Sequence, residues 1–332
     1  MTTNSSKTPL AQISDEIQRR HRFLLTSHAR PDGDSIGSQL AMAYALRSLG
    51  KEVRLVNRDA APAFLLEFPG VDQIEIANKV AGDFDAVLVM ECSDLSRTGV
   101  EGLDRYFIIN LDHHAGNRMY GAVNWFDGGA SACGEMVFDL VAALGVPLTH
   151  EIATHIYLAI LTDTGCFHFS NITPRTFDIC RQAVEAGADP PAVARMVFDS
   201  NNLGRLKLFG AVLGRLVLDA SERVAVLYLD DAMARAAGGN YDDTEGLIHL
   251  PLTVKTIEAV AFFKEIEPEL YRVSLRSKGE VDVAAIAREF GGGGHRNAAG
   301  CTVRGRYDEA RAAVMSRLQQ AIERGATSRT ER

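Results

Sequence analysis

A chain of 332 residues, 46% hydrophobic and 23% charged, is long for one hydrophobic core and ordinary in composition, which excludes extensive disorder and predicts two folded domains. A formal net charge of −8 excludes the basic footprint of a bulk duplex binder, so long duplex nucleic acid is not an expected partner. Cys92, Cys133, Cys166, Cys180 and Cys301 are scattered without a C-x-x-C pair, and no apolar run approaches the roughly 20 residues that span a bilayer; reduced thiols, no membrane partner and a cytoplasmic location are expected.

Residues 9 to 22 read as a short amphipathic helix, and Phe23 to Ser27 as a buried strand that stops at His28. The loop H-A-R-P-D-G-D leads into Ser35 to Leu49, an Ala/Leu-rich helical pattern closed by Gly50. Strands follow at Glu52 to Asn57, Asp85 to Met90 and Tyr106 to Leu111. Strands alternating with helical segments predict an α/β domain with a mainly parallel sheet flanked by helices, its functional groups gathered beyond the carboxyl ends of the strands. Directly after three of these strands stand His28 with Asp32 and Asp34, then Glu91, then Asp112, His113 and His114.

Further helices are expected over Ala130 to Leu144, His150 to Leu161 and 174 to 187, with Asp163 at a break in T-D-T-G. Gly187-Ala-Asp-Pro-Pro191 ends a first domain, 1–190. A connecting helix over 192 to 218 supplies a linker, 191–210, and a second, smaller α/β domain occupies 211–332. Its strands are expected at Arg223 to Leu229, Thr256 to Lys264 and Leu270 to Arg276, and its helices at 282 to 290 and 308 to 323.

Five groups of residues carry chemistry. His28-x-x-x-Asp32-x-Asp34 combines oxygen and imidazole donors, a set that favours Mn²⁺ and similar ions over Ca²⁺; the competing account is a Pro-Asp-Gly turn with Asp34 capping the next helix. In Asp112-His113-His114, one ring can bind metal while the other faces substrate. Glu91 and Asp163 complete six candidate ligands, enough for two ions sharing a bridging carboxylate. Finally, four consecutive glycines, Gly291 to Gly294, are costly in backbone entropy and are not expected from core packing; they predict a phosphate nest rimmed by His295 and Asn297, with a flexible turn as the rival. Arg276-Ser277-Lys278-Gly279, in the same domain, places a guanidinium where it can pair with phosphate.

The ordered motifs H-A-R-P-D-G-D-S-I-G-S, E-C-S-D-L-S-R-T-G, D-H-H, L-T-D-T-G and G-G-G-G-H-R-N-A-A-G resemble those of the DHH phosphoesterase superfamily, in its nanoRNase and pAp phosphatase group, over about residues 10 to 325. The resemblance implies that His28 and Asp32 hold one manganese, that Asp34, His113 and Asp163 hold the other, and that Glu91 bridges them. It implies that His114 contacts the scissile phosphate with Asp112 in support. Arg97, Arg276, Ser277, Gly293, Gly294, His295 and Asn297 fall at substrate-binding positions. The implied activity is hydrolysis of short oligoribonucleotides to mononucleotides, and of 3′-phosphoadenosine 5′-phosphate (pAp) to AMP, by in-line attack of a metal-activated water. The implied partners are short single-stranded RNA and mono- or dinucleotide phosphates, with a homodimer as the assembly to test. Hydrolysis of linear or cyclic dinucleotides and a weakened, nucleotide-binding protein are the alternatives. The latter arises because the family usually has Asp where this chain has Glu91, a carboxylate displaced by one methylene.

Overall fold

The computed structural model describes residues 7–199, 202–241, 244, 246–279 and 281–330. The chain divides into two compact units, Met1–Ser200 and Asn201–Arg332.

The first unit is a six-stranded, all-parallel sheet. Its strands are β1 (Arg22–Thr26), β2 (Glu52–Asn57), β3 (Ile74–Ile76), β4 (Ala86–Met90), β5 (Ile108–Asp112) and β6 (Val123–Phe126), in spatial order β3-β2-β1-β4-β5-β6. The helices are α1 (Pro9–Arg19), α2 (Gly33–Ser48), α3 (Cys133–Ala143), α4 (His150–Asp163), α5 (Pro174–Glu185) and α6 (Pro190–Phe198). Phe23, Leu25, Leu88, Met90, Ile109 and Leu111 point to the face that these helices cover. Leu24, Val87, Val89 and Ile108 point to the other face, where Val80, Val100 and Leu103 from connecting segments cover them. Two covered faces are why these strands read as continuous apolar runs. Right-handed crossovers explain the asymmetry: the order runs one way from β1 to β3 and the opposite way from β4 to β6, so the connections fall on opposite faces. The β4 to β5 connection contains only a 3₁₀ helix, Leu95–Thr98.

The second unit is a mixed sheet. It comprises α7 (Leu203–Leu213), β7 (Val217–Leu218), β8 (Val224–Leu229), α8 (Asp231–Ala237), β9 (Ala259–Glu267), β10 (Leu270–Ser277), α9 (Val283–Glu289), β11 (Gly293–His295), β12 (Ala298–Arg304) and α10 (Tyr307–Thr330), with strand order β11-β12-β10-β9-β8-β7. β8 and β9 are parallel and the other pairs antiparallel. Val224 and Val226 face a core shared with α9 and α10, while Ala225, Leu227 and Leu229 face one shared with α7 and α8.

Three expectations need correction. The single helix expected over 192–218 is two helices and a short strand, because Asn202 caps a new helix by accepting from the Arg205 N–H. α4 runs two residues past its expected end at Leu161, so that Asp163 is its last residue, directly before the break. The glycine run is not explained by ligand access alone: Gly293 and Gly294 belong to β11, which pairs with β12. A Cβ on Gly292 would lie 2.1 Å from the Gly300 carbonyl oxygen, and one on Gly294, at φ +145°, would lie 2.5 Å from that of Ala298. Close passage of β12 therefore demands glycine at those two positions.

Candidate metal centre

The order of the first sheet brings the carboxyl ends of β1, β4 and β5 side by side, at the point where the direction of winding reverses. His28 follows β1, Glu91 follows β4, and Asp112 ends β5 with His113 and His114 directly after it. Asp32 caps α2 by accepting from the Ser35 N–H, in a capping box with the Ser35 hydroxyl, so the cap is Asp32 and not Asp34. Asp34 lies two residues further, 1% exposed, and accepts from the N–H groups of Cys133 and Gly134 at 2.7 and 3.1 Å, at the positive end of α3. Gly33 and Gly37 allow α2 to cross α4 closely: a Cβ on Gly33 would meet Thr162 at 2.4 Å, and one on Gly37 would meet the His155 carbonyl at 2.5 Å. That crossing sets Asp34 near Asp163.

His113 is the hub. Its Nε2 lies 3.1 Å from Glu91 Oε1, 3.5 Å from Asp163 Oδ2 and 3.7 Å from Asp34 Oδ2. Its Nδ1 faces the Ala130 carbonyl at 3.0 Å, which assigns the proton to Nδ1 and leaves Nε2 as a donor atom for a cation. His28 repeats the arrangement, with Nδ1 2.9 Å from the Ala29 carbonyl and Nε2 3.6 Å from Asp32 Oδ2. His114 Nδ1 lies 3.0 Å from Asp112 Oδ1 and 3.5 Å from Glu91 Oε2. Asn117 donates to the second oxygen of the fully buried Asp112 at 2.6 Å.

Ligand atoms of His28, Asp32 and Glu91 lie within 4.8 Å of one another, as do those of Asp34, His113 and Asp163, and those of Glu91, His113 and His114. Glu91 is thus common to two groups. Despite their proximity, Glu91 Oε1 and His113 Nε2 are both buried without a formed hydrogen bond. Unsatisfied buried polar atoms are costly, and a divalent cation between them would satisfy both. The oxygen and imidazole donors suit such an ion. Glu91 itself sits at φ +59°, a left-handed conformation uncommon for a residue other than glycine.

The electrostatics agree. Burial, with the negative charges of Glu91 and Asp163, pushes Asp34 well above the usual carboxylate range, and burial pushes Asp163 up to about 6. Burial opposes the His113 cation, yet Glu91, Asp34 and Asp163 push it up to about 11. At Asp32 the facing His28 outweighs burial, and its carboxyl falls to about 2. The Asp112 carboxylate raises His114 above its ordinary value. The cluster holds more negative charge than its own imidazoles balance.

Arg97 lies on the 3₁₀ helix beside this loop. Its carbonyl accepts from the Ala29 N–H at 2.8 Å, and its guanidinium donates to Ser93 Oγ at 3.0 Å. The remaining expected substrate-binding residues belong to the second unit, at the end of β10 and along β11. Asn297 Nδ2 donates to Ser277 Oγ at 2.9 Å, and Ser277 Oγ donates to the Val281 carbonyl at 2.7 Å, which closes the loop onto itself. Arg276 is half-buried and donates to its neighbour's carbonyl, at Leu275; no carboxylate pairs with it among the described residues, and burial holds it below its ordinary value. The backbone of His295 is in β11, whereas its side chain lies outside the described set.

Sequence reasoning passed over the supporting groups. Asn171 Nδ2 donates to the carbonyls of Ser131 at 2.9 Å and Asp163 at 3.3 Å, joining the segment that holds His113 to the one that carries Asp163. The signal for such residues is a polar side chain within an otherwise apolar element, as Gln39 is in α2.

The DHH family N-terminal domain matches residues 22–160, and the DHHA1 domain matches 221–324. The bifunctional oligoribonuclease and PAP phosphatase NrnA of Thermus thermophilus is 32% identical over 90% of this chain and 90% of its own. The chain belongs to the DHH family of phosphoester hydrolases. The NrnA of Bacillus subtilis is 27% identical over 87% of this chain and 91% of its own. Among solved structures, an exopolyphosphatase-related protein from Bacteroides fragilis matches with a TM-score of 0.88 and 25% identity, over 96% of this chain and 98% of that one. The six-ligand cluster lies in and just beyond the DHH match, and the glycine hairpin lies in the DHHA1 match. No helix among the described residues is long and apolar enough to cross a membrane.

Proposed function

We propose that this DHH protein hydrolyses short oligoribonucleotides to mononucleotides and pAp to AMP, using two divalent cations, Mn²⁺ foremost. The observation that carries the reading is the convergence of six ligating side chains around the unsatisfied Glu91 Oε1 and His113 Nε2. His28 and Asp32 would hold one ion and Asp34, His113 and Asp163 the other, with Glu91 available to both. When bound, the ions supply Lewis-acid activation of water and neutralise charge developing at phosphorus.

The chain's own residues do the rest. Asp34, held by the α3 N-terminus, keeps its carboxylate aimed inward. The Asp112 carboxylate holds a proton on His114 Nδ1 and raises that ring above its ordinary value, which favours the form in which His114 presents Nε2–H to an oxygen of the scissile phosphate. Arg97 is assigned to substrate binding beside the metal centre. In the second unit Arg276, Ser277, Gly293, Gly294, His295 and Asn297 are assigned to the substrate, Arg276, Ser277, His295 and the Gly293–Gly294 backbone to its other phosphate or terminal nucleotide. The guanidinium of Arg276, half-buried and paired with no carboxylate among the described residues, supports this assignment. Short single strands and nucleotide phosphates are therefore the substrates, and the five free cysteines fit a reducing cytoplasm.

The test is turnover by the purified chain with Mn²⁺ of a diribonucleotide, pAp, pApA, cyclic di-AMP and pyrophosphate. Mononucleotides from the dinucleotide and AMP from pAp are expected. Intact dinucleotide and pAp after hours, with cyclic di-AMP or pyrophosphate consumed instead, would overturn the proposal. No turnover of any of the five would favour a nucleotide-binding protein.

A further inference from the structure

Gln39 and Asn57 belong to none of the motifs above, and neither hydrogen-bonds a candidate ligand side chain. Both are fully buried. Their carboxamides exchange two hydrogen bonds: Gln39 Nε2 donates to Asn57 Oδ1 at 3.2 Å, and Asn57 Nδ2 donates to Gln39 Oε1 at 3.0 Å. The pair also reaches outward. Gln39 Nε2 donates to the Leu25 carbonyl at 2.9 Å, and Asn57 Oδ1 accepts from the Ser27 N–H at 3.3 Å.

The ladder between β1 and β2 runs as far as Leu25 opposite Leu55. Beyond it the Asn57 side chain takes over as acceptor, for the residue immediately before His28. Gln39 lies in α2 five residues after Asp34. Both ends of the ligand-bearing segment, 28–34, are therefore tied to one amide pair, which joins the exit of β1, the end of β2 and the body of α2.

Stability alone does not call for this pair. A buried amide pair gains only modest net free energy over two apolar side chains of similar size, which lose no hydrogen bond to each other. An apolar pair cannot hold the Ser27 N–H or the Leu25 carbonyl. We infer that Gln39 and Asn57 are positioning residues, which fix the spacing of His28 and Asp32 relative to Asp34 and thereby the affinity of the centre for its cations. The inference rests on reading those three residues as ligands.

The test is a Mn²⁺ binding isotherm on the intact chain, paired with the melting temperature of the metal-free protein. Asn57→Leu and Gln39→Leu are each expected to weaken Mn²⁺ binding by about 10-fold to 100-fold, the range typical of groups that orient metal ligands, and to lower the metal-free melting temperature because each strands buried partners, so binding is read well below that temperature on folded chains. Because the two amides act as one unit, the double variant should lose no more than the weaker-binding single variant. Exchanging the two side chains, Gln39→Asn with Asn57→Gln, keeps both amides and should restore binding. A folded Asn57→Leu chain with wild-type affinity would overturn the inference. Should Asn57→Leu not fold, Asn57→Ser, too short to reach the Ser27 N–H, makes the same comparison with the same two outcomes. Wild-type protein that takes up no Mn²⁺ sinks the ligand assignment and the clamp together; wild-type uptake with unchanged variants sinks the clamp alone.

Discussion

The two regions that carry the motifs differ in what their residues are for. In the first unit, the motif side chains crowd together with polar atoms left short of partners: Glu91 Oε1 and His113 Nε2 lie 3.1 Å apart and buried with no hydrogen bond formed, and Asp34, Asp163 and His113 hold pKa values far from ordinary. In the glycine hairpin of the second unit, much of the motif is satisfied internally, since Gly292 and Gly294 make room for β12, and Ser277 and Asn297 bond each other. A motif can thus mark a demand for a ligand or a demand of the fold, and satisfied versus unsatisfied polar atoms tell the two apart.

Breaking the metal centre should have the largest effect. His113→Ala removes the imidazole common to two ligand groups and should lower turnover on the order of 10³-fold or more, with Mn²⁺ uptake reduced in parallel. Turnover within tenfold of wild type would detach the cluster from catalysis.

In the hairpin the comparison sharpens position by position. Gly292→Ala and Gly294→Ala should each destabilise the second unit by about 1–3 kcal/mol, read by denaturant unfolding. Gly293→Ala meets nothing within 4 Å and should change stability by less than about 0.5 kcal/mol, so a raised KM in that variant reports a lost backbone contact to substrate. Equal stability losses at all three positions would remove the distinction between fold and ligand demands.

Glu91→Asp draws the carboxylate back by one methylene but suits the left-handed backbone at φ +59° better. The opposed effects should leave turnover within about tenfold of wild type. A rise of orders of magnitude from a near-zero baseline would instead identify Glu91 as a damaged position.

The smallest expected effect lies in the second unit. Burial opposes ionisation of Asp219, yet bonds from Ser221, the Val224 and Arg223 N–H groups and Gln319 hold its carboxyl at about 2, below the ordinary 3.8. Because the folded value is the lower, Asp219 stabilises above pH 3.8, and that stabilisation is lost as the pH falls from 3.8 to about 2. Asp219→Asn should lower stability at neutral pH and flatten the acid limb of a melting-temperature profile. An unchanged acid limb would contradict this.

The sequence was legible where a period or a break is strong. The apolar runs of β1, β4 and β5, each followed by a ligand, marked both the sheet and the edge that carries the site. Short or polar elements were not legible. Ile74–Ile76 and Val123–Phe126 are edge strands of three and four residues, too brief for alternation to register, and α8 spans seven. The division between α6 and α7 depends on the Asn202 cap, a single side chain inside an apolar pattern. The six ligands were named from strand ends and resemblance, but not that Asp34 is held by the start of α3, or that His113 is oriented by Ala130. Both depend on backbone groups roughly 100 and 17 residues away, which no local pattern encodes.

The most direct test of the account is the number of Mn²⁺ ions retained per chain after equilibrium dialysis, counted by elemental analysis. Two ions per wild-type chain is the predicted result. Retention of no ion would contradict the centre itself, and one ion would contradict the bridging role assigned to Glu91.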